Sequence, residues 1–170
     1  MTNPSLYLDT SIISSYWYRG RNVIAIARSI TTREWWDVER EHFSLWTSRA
    51  SVDELSTGVF PRQSQAVAMA LRLRLLPNTG QVRRFADDLL TADIVPVSEP
   101  ADALHVAFAA VHQMDYLLTW NYAHLANKHV QRRLDRLSRD VNLQSPLIVT
   151  PDTIPRVSLG QAIRRSKEWP

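Results

Sequence analysis

The chain has 170 residues, of which 45% are hydrophobic and 22% charged, a balance typical of one globular domain with a well-developed core. The absence of cysteine excludes disulfides and thiolate zinc sites and suits a reducing cytoplasm. No apolar run approaches the roughly 20 residues of a membrane span, and the N-terminus lacks the pattern of a signal peptide, so we expect a cytoplasmic protein that does not use the membrane. The formal net charge of +3 permits a nucleic-acid partner without requiring one.

The first half of the chain shows the periodicity of strands alternating with helices. Residues 6–8 are wholly apolar and predict a first strand, with Asp9 at its carboxyl end. The elements expected after it are a helix from Thr10 or Ser11, a helix over about 23–40, a strand over 42–47, a helix that carries Asp53-Glu54-Leu55, a helix from Pro61 to about Leu76, and a short helix over 81–90. The apolar side of the helix over 23–40 is expected to hold Ile26, Ile30 and Trp36 or Val38.

The second half continues the same alternation. Its expected elements are a short strand over 94–97, an alanine-rich helix from Pro100 to about Gln113, a strand over 116–119, a helical stretch after Trp120-Asn121, an arginine-rich helix over 130–141, a strand over 147–150 and one short helix in the tail from Pro151.

Apolar strands without clean alternation, separated by helices, are typical of a parallel sheet covered on both faces. We therefore predict an α/β fold, a three-layer α/β/α sandwich around a central, mostly parallel sheet of about four or five strands. Because the chain has no repeat and no Gly/Ser-rich linker, a single domain is expected over residues 1–170, with its core at about 5–155 and a C-terminal tail at about 156–170.

Acidic and polar residues fall at equivalent places in this predicted fold. Asp9 ends the first strand, Glu54 lies in the helix after the second, and Asp102 lies in the first turn of the helix after the third. Thr119 and Asn121 follow the fourth strand in the same sense. In a parallel sheet these places face one edge, so we expect the side chains to converge on one cleft.

Carboxylates that crowd into one cleft repel one another unless one is protonated or a cation holds them. The sequence has no cysteine and no HExxH-type histidine pair, so the expected cation is a hard one with oxygen ligands, Mg²⁺ or Mn²⁺. Such an ion lowers the pKa of a bound water and stabilises an in-line displacement at phosphorus. The pattern therefore indicates phosphoester hydrolysis.

Each acidic residue also has a plainer interpretation. Asp9 could cap the helix that follows it, and Glu54, with Asp53 beside it, could occupy a solvated helix position. Asp102 suits the first turn of a helix on dipole grounds alone. Only the joint placement of the three favours a functional site.

Three further features are interpreted as structural. His105, one helical turn beyond Asp102, is expected to be a partly buried, hydrogen-bonded residue rather than a substrate contact. The arginine-rich run 132–139 is expected to be the solvated face of an amphipathic helix, although it could bind RNA phosphates. Trp35 and Trp36 are interpreted as core or interface residues rather than base-stacking ones.

Four short segments carry the acidic and polar residues in a specific order and spacing. They are Tyr7-Leu8-Asp9-Thr10-Ser11, Thr47-Ser48 through Val52-Asp53-Glu54-Leu55, Ala101-Asp102-Ala103-Leu104-His105-Val106-Ala107, and Asp115-Tyr116-Leu117-Leu118-Thr119-Trp120-Asn121. Together they resemble the PIN-domain family, specifically the VapC-type toxin ribonucleases of bacterial type II toxin–antitoxin systems. The resemblance extends over about residues 5–155.

The resemblance implies a Mg²⁺- or Mn²⁺-dependent endoribonuclease that hydrolyses RNA phosphodiester bonds. By that resemblance Asp9 and Asp102 hold the metal, and Glu54 ligates it or orients and helps activate the water. It also implies a homodimer and a small antitoxin whose tail covers the cleft. The polar residues expected to support the site are Thr10, Ser11 and Thr119.

Asn121 departs from the family pattern, because it stands where the family has a fourth acidic residue. An amide oxygen can still ligate a metal or orient water but carries no charge, so weaker metal affinity is expected. This motivates an alternative, a catalytically weakened PIN domain that acts as an RNA- or protein-binding module. A phosphatase of the haloacid dehalogenase type is disfavoured, because Asp9-Thr10-Ser11 lacks the second carboxylate of the Asp-x-Asp pattern.

Overall fold

A five-stranded parallel sheet lies at the centre of residues 3–156, the part of the chain that the computed structural model describes. The strands are β1 (Ser5–Leu8), β2 (Ser44–Ser48), β3 (Arg74–Leu76), β4 (Tyr116–Leu118) and β5 (Leu147–Val149), in the spatial order β3-β2-β1-β4-β5. The helices are α1 (Thr10–Trp17), α2 (Val23–Val38), α3 (Arg49–Thr57), α4 (Gln63–Leu71), α5 (Gly80–Thr91), α6 (Pro100–Val111) and α7 (Lys128–Asp140). Within this part of the chain, no helix is long and apolar enough to cross a membrane.

Helices cover both faces of the sheet, because successive side chains of a strand point to opposite sides. Tyr7 and Leu117 pack on one face with α5 and α6. Leu6, Leu8 and Leu118 pack on the other face with α1 and α2, where Trp35 is a core residue as expected. The predicted three-layer α/β/α sandwich is therefore confirmed.

The third strand lies elsewhere than predicted. Residues 94–97 form no strand; the backbone N–H of Ile94 instead donates to the carbonyl of Leu89, at the end of α5. The strand is Arg74–Leu76, which pairs with β2 and was predicted as the last turn of the preceding helix. An edge strand has one neighbour and is partly exposed, so its residues need not show the apolar run of a central strand.

Helix α2 also differs from its prediction. It ends at Val38, and a 3₁₀ turn follows at Arg40–His42. The expected apolar face was wrong for Ile26, Ile30 and Val38, which are 39%, 52% and 57% exposed, whereas Trp36 is partly buried against the core. The buried residues of the helix are instead Ser29, Thr32 and Trp35.

The last part of the described chain agrees more closely. Helix α7 is amphipathic as predicted, with Leu134 buried and Arg132 and Arg136 exposed. Arg133 has a structural contact, since its guanidinium donates to the carbonyl of Asp93 at 2.6 Å. The expected helical stretch after Asn121 is a series of turns, and the short helix predicted for the tail falls largely outside the described residues.

Candidate active site

One cleft of about 1090 Å³ at the carboxyl edge of the sheet is lined by Asp9, Glu54, Asp102 and Asn121. Asp9 follows β1 and Glu54 lies in α3, directly after β2, so parallel strands bring them to the same edge. Asp102 also lines the cleft, but the element that precedes its helix is not the one predicted. Its helix, α6, follows an irregular segment rather than a strand, yet the first turn of α6 still reaches the cleft.

Asp9 is 3% exposed and caps α1 while it lines the cleft. Its Oδ1 accepts the backbone N–H groups of Ser11 at 2.9 Å and Ile12 at 3.3 Å, together with the Ser11 hydroxyl at 2.5 Å. Burial raises the pKa of this carboxyl, and the nearby charge of His105 and hydrogen bonds from Ser11 and Thr119 oppose that rise. The capping and functional interpretations are therefore compatible, since one residue can satisfy both.

Glu54 is half exposed, and its Oε2 lies 3.1 Å from Nε2 of the buried His105. Partial burial would raise the pKa of Glu54, but the hydrogen bond and charge of His105, with a hydrogen bond from Thr10, hold it below its usual value. Glu54 is therefore ionised at neutral pH and held in one position by a residue behind it.

His105 connects Glu54 to a buried polar network, which agrees with its interpretation as a structural histidine. Burial would lower the pKa of His105, but Tyr7, Glu54 and Asp9 together raise it well above its usual value. In the charged form both ring nitrogens donate, Nδ1 to the Tyr7 hydroxyl at 2.9 Å and Nε2 to Glu54. The Tyr7 hydroxyl in turn lies 2.8 Å from the Ser48 hydroxyl.

Asn121 contacts Asp102 through its amide nitrogen, which donates to Oδ2 of Asp102 at 2.7 Å. The amide oxygen of Asn121 accepts the backbone N–H of His124 at 3.0 Å. The oxygen is thus used within its own turn, and Asn121 orients Asp102 rather than presenting an oxygen to the cleft. This geometry differs from the expectation that its amide oxygen would serve a metal.

Two residues that the sequence interpretation missed lie beside Asp102. The ligand atoms of Glu99, Asp102 and His124 all lie within 4.8 Å of one another, so these three residues could hold a metal ion. Within residues 3–156, the ligand atoms of the predicted set, Asp9, Glu54 and Asp102, do not all lie within 4.8 Å of one another. Asp102 belongs to both sets. The available signal was spacing: Glu99 lies one helical turn before Asp102, and His124 lies three residues after Asn121.

The predicted supporting residues connect the carboxylates to the scaffold. The Thr10 hydroxyl bonds Glu54, and the buried Thr119 hydroxyl bonds Asp9 and accepts the backbone N–H of Asn121 at 2.9 Å. The Ser11 hydroxyl donates to Asp9 and accepts the backbone N–H of Trp120 at 2.8 Å. Neighbouring segments of the site are therefore fastened to one another through hydroxyl groups.

The chemistry of the donor set suits a hard divalent cation. Carboxylate oxygens are the ligands preferred by Mg²⁺ and Mn²⁺, and one imidazole beside them is more compatible with Mn²⁺. The buried Asp9 supports the same fit, because a cation in the cleft would offset the unfavourable burial of its charge.

The fold is similar to that of VapC20 from Mycobacterium tuberculosis, a toxin that cleaves the sarcin–ricin loop. The two chains superpose with a TM-score of 0.52 at 19% sequence identity, over 70% of this chain and 92% of VapC20. No protein-family model and no curated protein sequence matches the chain. At this low identity the likeness shows the fold, a PIN-like α/β/α sandwich.

Proposed function

We propose that the chain is a metal-dependent endoribonuclease that hydrolyses RNA phosphodiester bonds, and that it is the toxin of a toxin–antitoxin pair. The observation that carries the proposal is the placement of Asp9, Glu54 and Asp102 on one cleft at the carboxyl edge of a PIN-like sheet. The RNA-cleaving activity of VapC20, which has a similar fold, supports it.

The proposed cofactor is Mg²⁺ or Mn²⁺, with Asp102 as the ligand common to two candidate sets, the predicted one with Asp9 and Glu54 and the closer one beside it. Glu99 and His124 are further donors beside Asp102. When bound, such an ion lowers the pKa of a bound water and offsets the negative charge on the phosphate oxygens.

The residues around the carboxylates have separate roles in this proposal. Glu54 is ionised and half exposed to the cleft, so it can accept a proton from the attacking water, and His105 holds it in place. Asn121 fixes the rotamer of Asp102 through its amide nitrogen. Ser11 and Thr119 fix the carboxylate of Asp9.

Cleavage of a defined RNA by the purified protein in Mg²⁺ or Mn²⁺ tests the proposal. We expect Asp9→Asn and Glu54→Gln each to reduce the cleavage rate by at least about 100-fold, because each removes a charge on which the chemistry depends. Asp53→Asn is the matched control, since Asp53 is next to Glu54 but is 61% exposed and pairs with Arg49 instead. Full activity of Asp9→Asn, or cleavage that survives EDTA, would overturn the assignment.

Asn121 keeps a second candidate open, an RNA-binding module that cuts poorly. The cleft has one carboxylate fewer than the family pattern, and the amide of Asn121 occupies one oxygen of Asp102. In this case the unaltered protein would bind RNA without cutting it, and Asn121→Asp would gain cleavage once a cation separates the two carboxylates. Efficient turnover by the unaltered protein would reject this candidate.

A small antitoxin and a second copy of the chain are the protein partners in this proposal. The exposed apolar residues of α2 supply surface that a partner would cover; they are Val23, Ile24, Ile26 and Ile30. Light scattering on the purified protein measures whether the homodimer forms.

A further inference from the structure

An arginine and a tyrosine lie together on the wall of the cleft that the carboxylates line. The guanidinium carbon of Arg28, from α2, lies 5.7 Å from the ring centre of Tyr122 and 5.6 Å from that of Trp120. Arg28 and Tyr122 line the same cleft as Asp9. Trp120 is 5% exposed and Tyr122 is 42% exposed, so Tyr122 is the ring that a ligand can reach.

The two rings are held by hydrogen bonds rather than left mobile. The indole N–H of Trp120 donates to the Thr32 hydroxyl at 2.8 Å, and its backbone N–H donates to the Ser11 hydroxyl. The Tyr122 hydroxyl donates to the Asp152 carboxylate at 3.3 Å. A ring fixed at its far end offers its face with little further loss of conformational entropy on binding.

The Arg28 guanidinium has no anionic partner within residues 3–156. The ion pairs of that part of the chain are Arg49–Asp53, His105–Glu54 and His124–Asp102. Its N–H donors also make no hydrogen bond to any described residue. An unpaired guanidinium beside a cleft of carboxylates is positioned to attract a polyanion, since arginine matches phosphate geometry and stacks on aromatic rings.

We propose that Arg28 and Tyr122 form a subsite for one unpaired nucleotide of the RNA next to the bond that is cut. The base stacks on the exposed ring of Tyr122, and the guanidinium of Arg28 contacts a phosphate of the same strand. Aromatic stacking accepts any base but needs an unpaired one, so the subsite selects single-stranded RNA. The inference rests on the proposed function, because RNA is its ligand.

The competing explanation is structural. Arg28 and the two rings could serve only to fasten α2 to the turn after β4. In that case, variants of Arg28 and Tyr122 would change the stability of the protein. Its affinity for folded RNA and for single-stranded RNA would both stay unchanged.

RNA binding without cleavage separates the two explanations. The probe is a fluorescent single-stranded RNA of about ten nucleotides, titrated with the full chain in EDTA and followed by anisotropy. The variants are Tyr122→Leu, which keeps apolar bulk without a ring, Tyr122→Phe, which keeps the ring, and Arg28→Gln. Arg136→Ala is the control, because Arg136 is an exposed arginine on α7 that does not line the cleft.

We expect Tyr122→Leu and Arg28→Gln each to weaken binding of the single strand about 10-fold, and Tyr122→Phe and Arg136→Ala to stay within about 2-fold. The loss caused by Tyr122→Leu should disappear when the probe is a perfect RNA duplex. In cleavage assays with Mn²⁺ the same variants should raise KM more than they lower kcat, since they act on binding.

Two outcomes have opposite meanings. Single-strand affinity that is unchanged in Tyr122→Leu and Arg28→Gln would overturn the subsite, even if the unaltered protein cleaves RNA. A protein that never cleaves but loses single-strand binding in these variants would contradict the nuclease proposal and support the subsite. If Tyr122→Leu or Arg28→Gln lowers the melting temperature, binding is compared at a temperature at which each variant is fully folded, so that a loss of affinity reports on the subsite and not on unfolding.

Discussion

At the scale of single residues, Asp9 combines two requirements that oppose each other. As the cap of α1 its side-chain oxygen is favourable for folding, whereas its buried charge is unfavourable. The folded-state pKa of Asp9 lies above the ordinary value of 3.8, so as pH rises the unfolded chain loses this proton first. The resulting loss of stability develops as pH rises from 3.8 through the raised pKa and is complete above it.

We therefore predict that Asp9→Asn is at least as stable as the unaltered protein at neutral pH without metal. The amide keeps the cap and removes the buried charge, whereas Asp9→Ala loses the cap and should be less stable than Asp9→Asn by about 1 kcal/mol. Urea unfolding of the three proteins measures the free energies. A free energy of unfolding that is much lower for Asp9→Asn than for the unaltered protein would show that the charge of Asp9 does not destabilise the folded state.

The sequence predicted Asp9, Glu54 and Asp102 because each occupies a place that local patterns identify: a strand end or the early turns of a helix. Glu99 and His124 lie outside those places, and only their spacing from Asp102 and Asn121 pointed to them. The irregular segment before α6 and the turn after Asn121 bring them to Asp102, and no periodicity describes such segments. The role of Asn121 was hidden for a related reason, since the donor direction of an amide depends on its neighbours.

At the scale of elements, the Glu54–His105 contact joins α3 to α6 across the end of β1. Glu54 has a lowered pKa and His105 a raised one, so both are charged over a range around neutral pH. The raised pKa of His105 gives a contribution to stability that is fully present below its ordinary value of 6.5 and is lost as pH rises through the folded-state value.

We predict that His105→Gln lowers the free energy of unfolding by about 1 to 3 kcal/mol at about pH 6, because a buried partner of Tyr7 and Glu54 is lost. The difference from the unaltered protein should shrink as pH rises. Urea unfolding across a pH series measures it, with the exposed His129→Gln as control. A constant difference across the series would mean that His105 is neutral in the folded protein.

The elements also show where sequence patterns fail. The central strands β1 and β4 were predicted within a residue or two because residues 6–8 and 117–118 are apolar and fully buried between the two helix layers. Edge strand β3 was missed, because Leu73 and Leu76 repeat at helical spacing and Arg74 and Leu75 are exposed. Ile94 and Val95 were predicted as a strand because they are consecutive and apolar. They are buried in the core against α5 without pairing as a strand.

At the scale of the whole molecule, the cleft joins segments from across the described chain, so a cation bound there should stabilise the folded state as a whole. A ligand that binds only the folded state contributes about 2.7 kcal/mol at about a hundredfold excess over its Kd. We predict that Mn²⁺ raises Tm by several degrees and that EDTA reverses the rise. Asp102→Asn should abolish it, because Asp102 belongs to both candidate ligand sets.

Calorimetry with and without the ion measures this effect, and two further variants assign the ligands. Glu99→Gln should reduce the rise if the cluster beside Asp102 takes part, whereas Asp53→Asn should leave it unchanged. An equal rise in Asp102→Asn and the unaltered protein would place the ion elsewhere.

The sheet order has a consequence for how the protein is made. Strand β1 is synthesised first but lies in the middle of the sheet, and its second neighbour, β4, ends at residue 118. Asp102 and Asn121 also arrive late in synthesis. A nascent or truncated chain that stops short of Asn121 has neither a completed sheet around Asp9 nor an oriented Asp102. If the chain is the proposed nuclease, a product that stops before Asn121 should therefore lack cleavage activity.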